Sequence, residues 1–267
     1  MELIDKDDLY GDKYNAFVLC EYTREMKLIK RLIEIAEAGV SKKSTYDTWS
    51  FDGVCYQFAK TIVDYSKMAY DNLVLGHFHA TNMINRSILE NCVCLDLIVN
   101  NDEQELWKYY LAYSFRSVFC RSKRQPTNNE LQRLEERYKD LGVEEDFYKT
   151  QKGRKRPYIK EAYGWTYKIN SKFSFAGVCE LVGQGEYLGF SLMSEYSHGT
   201  SLHTKLGSSI FVEFVMSMFV SLYIELYRMV TLFCWDTVDA SFDEVSEELE
   251  EIFYRFIEYE DEFVYKE

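Results

Sequence analysis

Three residues with complementary chemistry lie along one segment in the first half of the chain. His79, Arg86 and Glu90 are spaced by seven and four residues, which places them on one stripe of a helix. The stripe offers an imidazole, a guanidinium and a carboxylate. Because apolar residues such as Ile88 and Leu89 surround it, we expect the charges to be buried, as either a structural ion pair or a site. An exposed pair of Arg86 and Glu90 is the simpler alternative.

A second polar group follows about a hundred residues later. Ser191, Ser194 and His198 are spaced by three and four residues, and Glu195 lies at the edge of the same helical stripe. Histidine exchanges protons near neutral pH, so it is the natural general base for activating a hydroxyl group or a water molecule. The spacing therefore predicts a catalytic pair of Ser194 and His198. The alternative is a half-buried histidine capped by a serine.

Basic residues form a third feature of the sequence. They fall into two blocks, and the second block, which begins at Lys149, is interleaved with Tyr148, Tyr158 and Tyr163. Tyrosine rings can stack on unpaired bases, while cations bind phosphates. The pattern favours a surface that binds RNA; an ordinary solvated loop is the alternative. The basic residues are Arg116, Arg121, Lys123 and Arg124, followed by Lys149, Lys152, Arg154, Lys155, Arg156 and Lys160.

Two further patterns argue against common ligand sites. His77 and His79 are two residues apart, which sends their side chains to different sides of a helix. A metal site would have to combine Glu90 with His79 or His198 from separate helices, and this alternative stays open. The glycines of residues 177–189 lack the preceding strand and the spacing of a nucleotide-binding loop. We expect a flexible entry to the next helix there, and no cofactor.

The segments that carry these groups have helical periodicity, with apolar residues recurring every three to four positions. Sustained alternation, internal repeats and low-complexity linkers are absent from the sequence. We therefore predict an all-α fold: one helical bundle over residues 1–267, with a loop-rich basic insertion at 121–160 and an acidic C-terminal helix within 236–267. The predicted helices span residues 15–39, 54–75, 79–99, 103–120, 128–141, 187–203, 208–235 and 243–258.

Composition and charge bound the class of protein. Apolar residues make up 47% and charged residues 28%, which excludes a disordered chain. The net charge is −13, but residues 236–267 hold 13 acidic and 2 basic residues. The remainder holds 31 acidic and 29 basic residues and is almost neutral. The acidic total therefore does not argue against a local site for an anion such as RNA.

Cysteine usage and hydropathy bear on the compartment. The seven cysteines are scattered among apolar residues, which indicates buried side chains in a reducing compartment. The acidic N-terminus does not resemble a signal peptide, so we expect a cytoplasmic protein. Glu213, Glu225 and Arg228 interrupt the apolar stretch 208–235, whereas a membrane span needs about 20 apolar residues. We expect this helix to form the core or a homo-oligomer contact, with no membrane partner.

The two polar groups together carry a resemblance. R-S-I-L-E at residues 86–90, combined with S-x-x-x-H at residues 194–198, resembles an uncharacterised all-helical bacterial family of unknown function. That family is in turn similar to the HEPN group, many of whose members are ribonucleases of antiphage or toxin systems. The resemblance covers roughly residues 60–235. The usual HEPN motif has an arginine five to seven residues before the histidine on one helix; here Arg86 would come from another helix.

The resemblance implies an RNA-directed effector, with ribonuclease activity, in bacterial defence or stress response. His198 would act as base or acid on a ribose 2′-hydroxyl, Arg86 would stabilise the phosphorane, and Glu90 and Ser194 would orient them. The further residues expected to contact the substrate are His79, Ser191, Glu195, Arg154, Lys155 and Arg156. Two alternatives remain: a non-catalytic helical module whose basic insertion or acidic end binds a protein partner, and a metal-dependent hydrolase.

Overall fold

The computed structural model describes residues 22–44, 46–121, 127–143, 163–170, 172–183 and 208–264. Within these ranges the chain forms eight α-helices and no strand, which confirms the predicted all-α fold. The helices are α1 (Thr23–Ser41), α2 (Phe51–Val74), α3 (Phe78–Asn100), α4 (Leu106–Arg121), α5 (Asn128–Asp140), α6 (Phe175–Val182), α7 (Ser208–Met229) and α8 (Ser241–Val264).

The helices belong to two compact units. The first unit takes residues 1–45, 58–92 and 189–267, and the second takes residues 46–57 and 93–188. Helices α2 and α3 each contribute residues to both units. The single domain over residues 1–267 stays a prediction.

The core of the first unit comes from apolar stripes on its helices. Fully buried side chains include Ile29 and Leu32 of α1, Ile62 of α2, Phe219 of α7 and Phe242 of α8. Three of the apolar residues on the predicted stripe of the last helix, Val245, Leu249 and Phe253, are also buried. Burial of these stripes supplies the main favourable term for the unit.

A glycine turn joins α2 to α3. Gly76 adopts a left-handed conformation with φ of 73°, its N–H donates to the Leu73 carbonyl, and the His77 N–H donates to the Asn72 carbonyl. This pattern is a Schellman C-cap, which favours glycine. The Thr81 hydroxyl then donates across to the Ala69 carbonyl at 3.4 Å. The two helices therefore form an antiparallel hairpin.

The end of α7 departs from α-helical geometry. Residues Val230–Cys234 form a π-helical turn, followed by a 3₁₀ turn at Trp235–Thr237. We call these two turns the α7 extension. Two lysines that follow α1 bind carbonyl groups of these turns. Lys43 Nζ donates to the Phe233 carbonyl at 2.7 Å, and Lys42 Nζ donates to the Thr237 carbonyl at 2.5 Å. Cations are favourable at the negative end of a helix dipole. The lysines thus cap the end of the α7 extension.

The acidic helix α8 runs antiparallel to α1. Arg24 near the start of α1 pairs with Glu248 of α8, the two charged groups lying 2.7 Å apart, whereas Lys42 after its end reaches residue 237 before α8 begins. Tyr223 of α7 donates to Glu250 Oε1 at 2.6 Å. Burial, followed by the bond to Glu250, raises the pKa of Tyr223 above its ordinary value. The acidic helix therefore contributes to the bundle through charge pairs as well as its apolar stripe.

Aromatic contacts hold the second unit together. Tyr110 of α4 meets the buried Trp165 edge to face, with ring centroids 5.5 Å apart. Tyr109 meets Tyr167 in the same way at 5.2 Å, and Lys168 Nζ lies 5.1 Å above the Tyr109 ring. Such pairs add to the stabilisation from area burial.

Helix α5 forms within the predicted insertion at 121–160, close to the predicted bounds 128–141. Thr127 and Glu130 cap its start reciprocally: the Thr127 side chain accepts from the Glu130 N–H, and the Glu130 side chain accepts from the Thr127 N–H. Tyr138, Leu141 and Val143 are buried. The expected exposed excursion is therefore amphipathic in this part, because one side is buried within the second unit.

Helix α6 lies where the sequence analysis expected a flexible segment, and that expectation is wrong for residues 175–182. Ser174 caps it by accepting from the Gly177 N–H at 3.2 Å. Gly177 is required by a close approach, since a Cβ there would lie 2.4 Å from the Lys172 carbonyl oxygen. The glycine therefore permits packing, and it does not make this segment a loop.

One stretch of the described residues, Val215–Thr237, is long and apolar enough to cross a membrane by length and composition. In its most apolar window, 56% is buried inside the protein. Leu222, Leu226 and Met229 are completely buried there. One such helix is weak evidence for a membrane span, because the core helix of a soluble protein passes the same test.

Candidate functional site

The stripe of His79, Arg86 and Glu90 lies within one continuous helix, α3. All three residues are half-buried, and Met83 between them is 58% exposed. The expectation that the charges are fully buried is therefore wrong. The apolar neighbours that suggested it, such as Ile88 and Leu89, are buried on other sides of the helix. The stripe itself keeps access to water, so the cost of a buried ion pair does not apply.

A different side of α3 packs against α7. Asn85 Nδ2 donates to the Met218 carbonyl at 3.3 Å, and Cys92 Sγ donates to the Glu225 carbonyl at 3.4 Å. Both partners advance by seven residues, so the two helices run parallel. Asn85 is 1% exposed. Helix α7 therefore covers the face carrying Asn85 and Cys92, whereas Met83 lies on another face and stays exposed.

Most of the other predicted site residues lie outside the described residues. These are Ser191, Ser194, Glu195 and His198 of the second polar group, and Arg154, Lys155 and Arg156 of the basic block. Their roles stay predictions, as does the meeting of the two polar stripes.

Tyr163 does not suit its predicted role as a stacking platform for a base. Its side chain is buried, and its ring contacts that of Phe175 with centroids 5.7 Å apart. The other two tyrosines with this predicted role, Tyr148 and Tyr158, lie outside the described residues. Tyr163 directly precedes a three-residue turn at Gly164–Thr166, all of whose residues are buried.

Metal-binding side chains do not cluster in the part of the chain that the structure describes. No group of three or more histidine, cysteine, aspartate or glutamate residues could hold an ion there. His77 is exposed at the α2 to α3 turn, whereas His79 is half-buried on the helix. The metal alternative, which combines Glu90 with His79 or His198, stays a prediction.

The described cysteines are structural. Cys55, Cys92, Cys94, Cys179 and Cys234 are free and buried, as the sequence indicated. Burial raises the pKa of the Cys55 thiol to about 12, with Asp52 adding to the effect. Burial likewise raises the pKa of Cys234 to about 12, although nearby Lys43 opposes it. Thiols with such pKa values are poor nucleophiles at neutral pH.

Glu225 is a buried carboxyl group, which in the sequence stands out only as an interruption of an apolar stretch. It is 5% exposed on α7, and its backbone carbonyl accepts from Cys92. Buried carboxyl groups are rare unless they are paired. The sequence already indicated this burial, because the eleven residues that precede Glu225 carry no charge.

Fold and stripe together define an all-α helical protein with a half-buried polar stripe on a central helix. Residues 52–209 match DUF5677, a family of unknown function. Because this match covers more than half of the chain, the protein belongs to that family. The predicted membership of an uncharacterised family is thereby confirmed. No curated protein and no solved structure matches the chain. The similarity to the HEPN group stays a prediction.

Proposed function

We propose that the protein is an RNA-directed effector similar to HEPN ribonucleases, with Arg86, Glu90, Ser194 and His198 as its catalytic residues. The observation that carries the proposal is the exposure of the α3 stripe. A guanidinium, a carboxylate and an imidazole share one side of α3, half-buried and open to solvent. The segment that matches the family contains both polar groups.

The chemistry needs no metal ion. His198 would take the proton of a ribose 2′-hydroxyl, whose oxygen attacks the adjacent phosphorus. Arg86 would stabilise the negative charge of the phosphorane. The bond from phosphorus to the 5′-oxygen then breaks, and that oxygen takes up a proton, leaving a 2′,3′-cyclic phosphate. Glu90 and Ser194 would orient the arginine and the histidine, and the basic block with Arg154, Lys155 and Arg156 would bind flanking phosphates.

The setting we propose is the bacterial cytoplasm, with self-association through the apolar helix α7. Ile224 of α7 and Trp235 of the 3₁₀ turn that follows it are 50% and 51% exposed. They would belong to the self-contact if they form part of one contiguous apolar patch, since such patches mark contacts with other proteins.

Cleavage of a labelled single-stranded RNA by the purified full chain tests the proposal. We expect His198→Ala and Arg86→Gln each to lose at least about a hundredfold in rate, the usual cost of removing an acid–base or electrostatic group. Arg133→Gln is the matched control, because Arg133 is an exposed arginine on α5. Full activity of His198→Ala would discard the catalytic role, and absence of salt-dependent RNA binding by the wild type would discard the whole proposal.

A non-catalytic interaction module is the second candidate. The observation that favours it is exposed apolar surface on the first unit, including Tyr254 of α8, which is 66% exposed. Wild-type protein that neither binds nor cleaves RNA, while His198→Ala keeps its fold and self-association, would support this candidate. A stoichiometric metal in the purified protein, measured by elemental analysis, would instead support the hydrolase.

A further inference from the structure

Met83 is an exposed apolar residue in the middle of a polar stripe. Its side chain is 58% exposed. On the helix, His79 lies one turn before it and Arg86 lies about 4.5 Å further along the axis. Apolar side chains exposed beside cationic groups suit a ligand that is partly aromatic and partly anionic. A nucleotide has both properties, through its base and its phosphate.

A second exposed methionine in the same unit has the opposite surroundings. Met68 of α2 is 50% exposed. Its neighbours one turn away are the exposed carboxylates Asp64 and Asp71. Asp64 pairs with Lys60 at 2.6 Å, and neither neighbour offers a cation to a phosphate. Exposure alone therefore does not distinguish Met83. Its position between an imidazole and a guanidinium does.

We propose that Met83 contacts a base of the RNA substrate, while Arg86 binds the phosphate of the same or the adjoining nucleotide. This inference rests on the proposed function and deepens it, because it names the residue that would contact a base of the substrate. The polarisable thioether packs favourably against aromatic rings. A base presents its face to such a side chain only when it is unstacked and unpaired.

The contact predicts a dependence on the base, which a contact with phosphate alone lacks. Fluorescence anisotropy with the full chain can compare a labelled single-stranded RNA with an RNA of equal length and abasic riboses. We expect Met83→Ala to raise the Kd for the first RNA roughly two- to twelve-fold, the range for contacts between a thioether and an aromatic ring. The Kd for the abasic RNA should not change.

Two further variants complete the experiment. Met68→Ala is the control, and it should bind both RNAs as the wild type does. Met83→Leu keeps the volume and the apolar surface, so it should retain most of the affinity. Because Met83 is exposed, circular dichroism should show unchanged helix content in its variants.

The outcomes separate the two proposals. Suppose that the wild type binds RNA and that Met83→Ala has the same Kd as the wild type for each of the two RNAs. The base contact is then overturned, while the proposed function stands. Equal loss with Met68→Ala also overturns it, because the effect would not belong to the stripe. If the wild type binds neither RNA, both proposals fail, and a protein partner becomes the better occupant of the stripe.

Discussion

Lys43 is the residue whose replacement tests most directly how the end of the α7 extension is held. Its Nζ donates to the Phe233 carbonyl at 2.7 Å, pairs with Asp236 Oδ1 at 2.8 Å, and lies 5.0 Å above the Phe233 ring. Only 14% of the lysine side chain is exposed, against 71% of Asp236. We expect Lys43→Met to loosen the π-helical and 3₁₀ turns that precede α8.

The magnitude follows from the three contacts. A hydrogen bond from a charged donor contributes about 1.5 to 3 kcal/mol. The ion pair adds less than about 1 kcal/mol because Asp236 is exposed, and the contact with the ring adds about 0.5 to 1 kcal/mol. These terms overlap, and methionine keeps the apolar contact with Phe233. We therefore expect a loss of about 2 kcal/mol in local stability.

Hydrogen exchange measured by mass spectrometry reports this local free energy. A loss of about 2 kcal/mol should speed exchange of the amides in residues 230–242 roughly 30-fold. Lys42→Met is the control: Lys42 is exposed and makes one bond, to Thr237. It should speed exchange less than about five-fold. Equal effects of the two substitutions, or no effect of Lys43→Met, would refute the larger contribution assigned to Lys43.

Two further substitutions test the packing and the charge pairs. Gly177→Ala should destabilise the second unit by about 1 to 3 kcal/mol despite the better helix propensity of alanine, because the new Cβ meets the Lys172 carbonyl; an unchanged melting temperature would contradict this. The bond to Lys43 lowers the pKa of Asp236, so the pair stabilises the fold above the ordinary carboxyl pKa and the effect disappears as pH falls through the lowered value. Asp236→Asn should therefore lower the melting temperature slightly at pH 7 and not in acid, and a difference that persists in acid would count against the pairing.

Helical periodicity was sufficient to predict most of the helices, because their apolar stripes are local in sequence. Helix α5 is observed at 128–140 against a predicted 128–141, and α3 at 78–100 against 79–99. The first helix was predicted to end at Gly39, but it continues to Ser41. Gly39 therefore lies inside this helix. A glycine suits the position because a Cβ there would be 3.0 Å from Val238. A glycine that permits a close approach looks in sequence like one that ends a helix.

Interactions between distant residues account for what periodicity could not predict. The π-helical turn at Val230–Cys234 contains neither proline nor glycine. The cation that binds the Phe233 carbonyl of this turn comes from Lys43, 190 residues away. Similarly, the exposure of Met83 depends on which face of α3 is covered by α7. Apolar neighbours along a sequence show that a helix is buried somewhere, but they do not show which stripe stays open.

The candidate site therefore depends on residues beyond the segment that matches the family. That segment ends at residue 209, and α7 lies beyond it except for its first two residues. Yet α7 covers α3 through the carbonyl groups of Met218 and Glu225. Because both acceptors belong to the backbone, these contacts do not require particular side chains at either position. The orientation of α3, and with it the exposure of Met83, can therefore persist while the side chains at these two positions of α7 change.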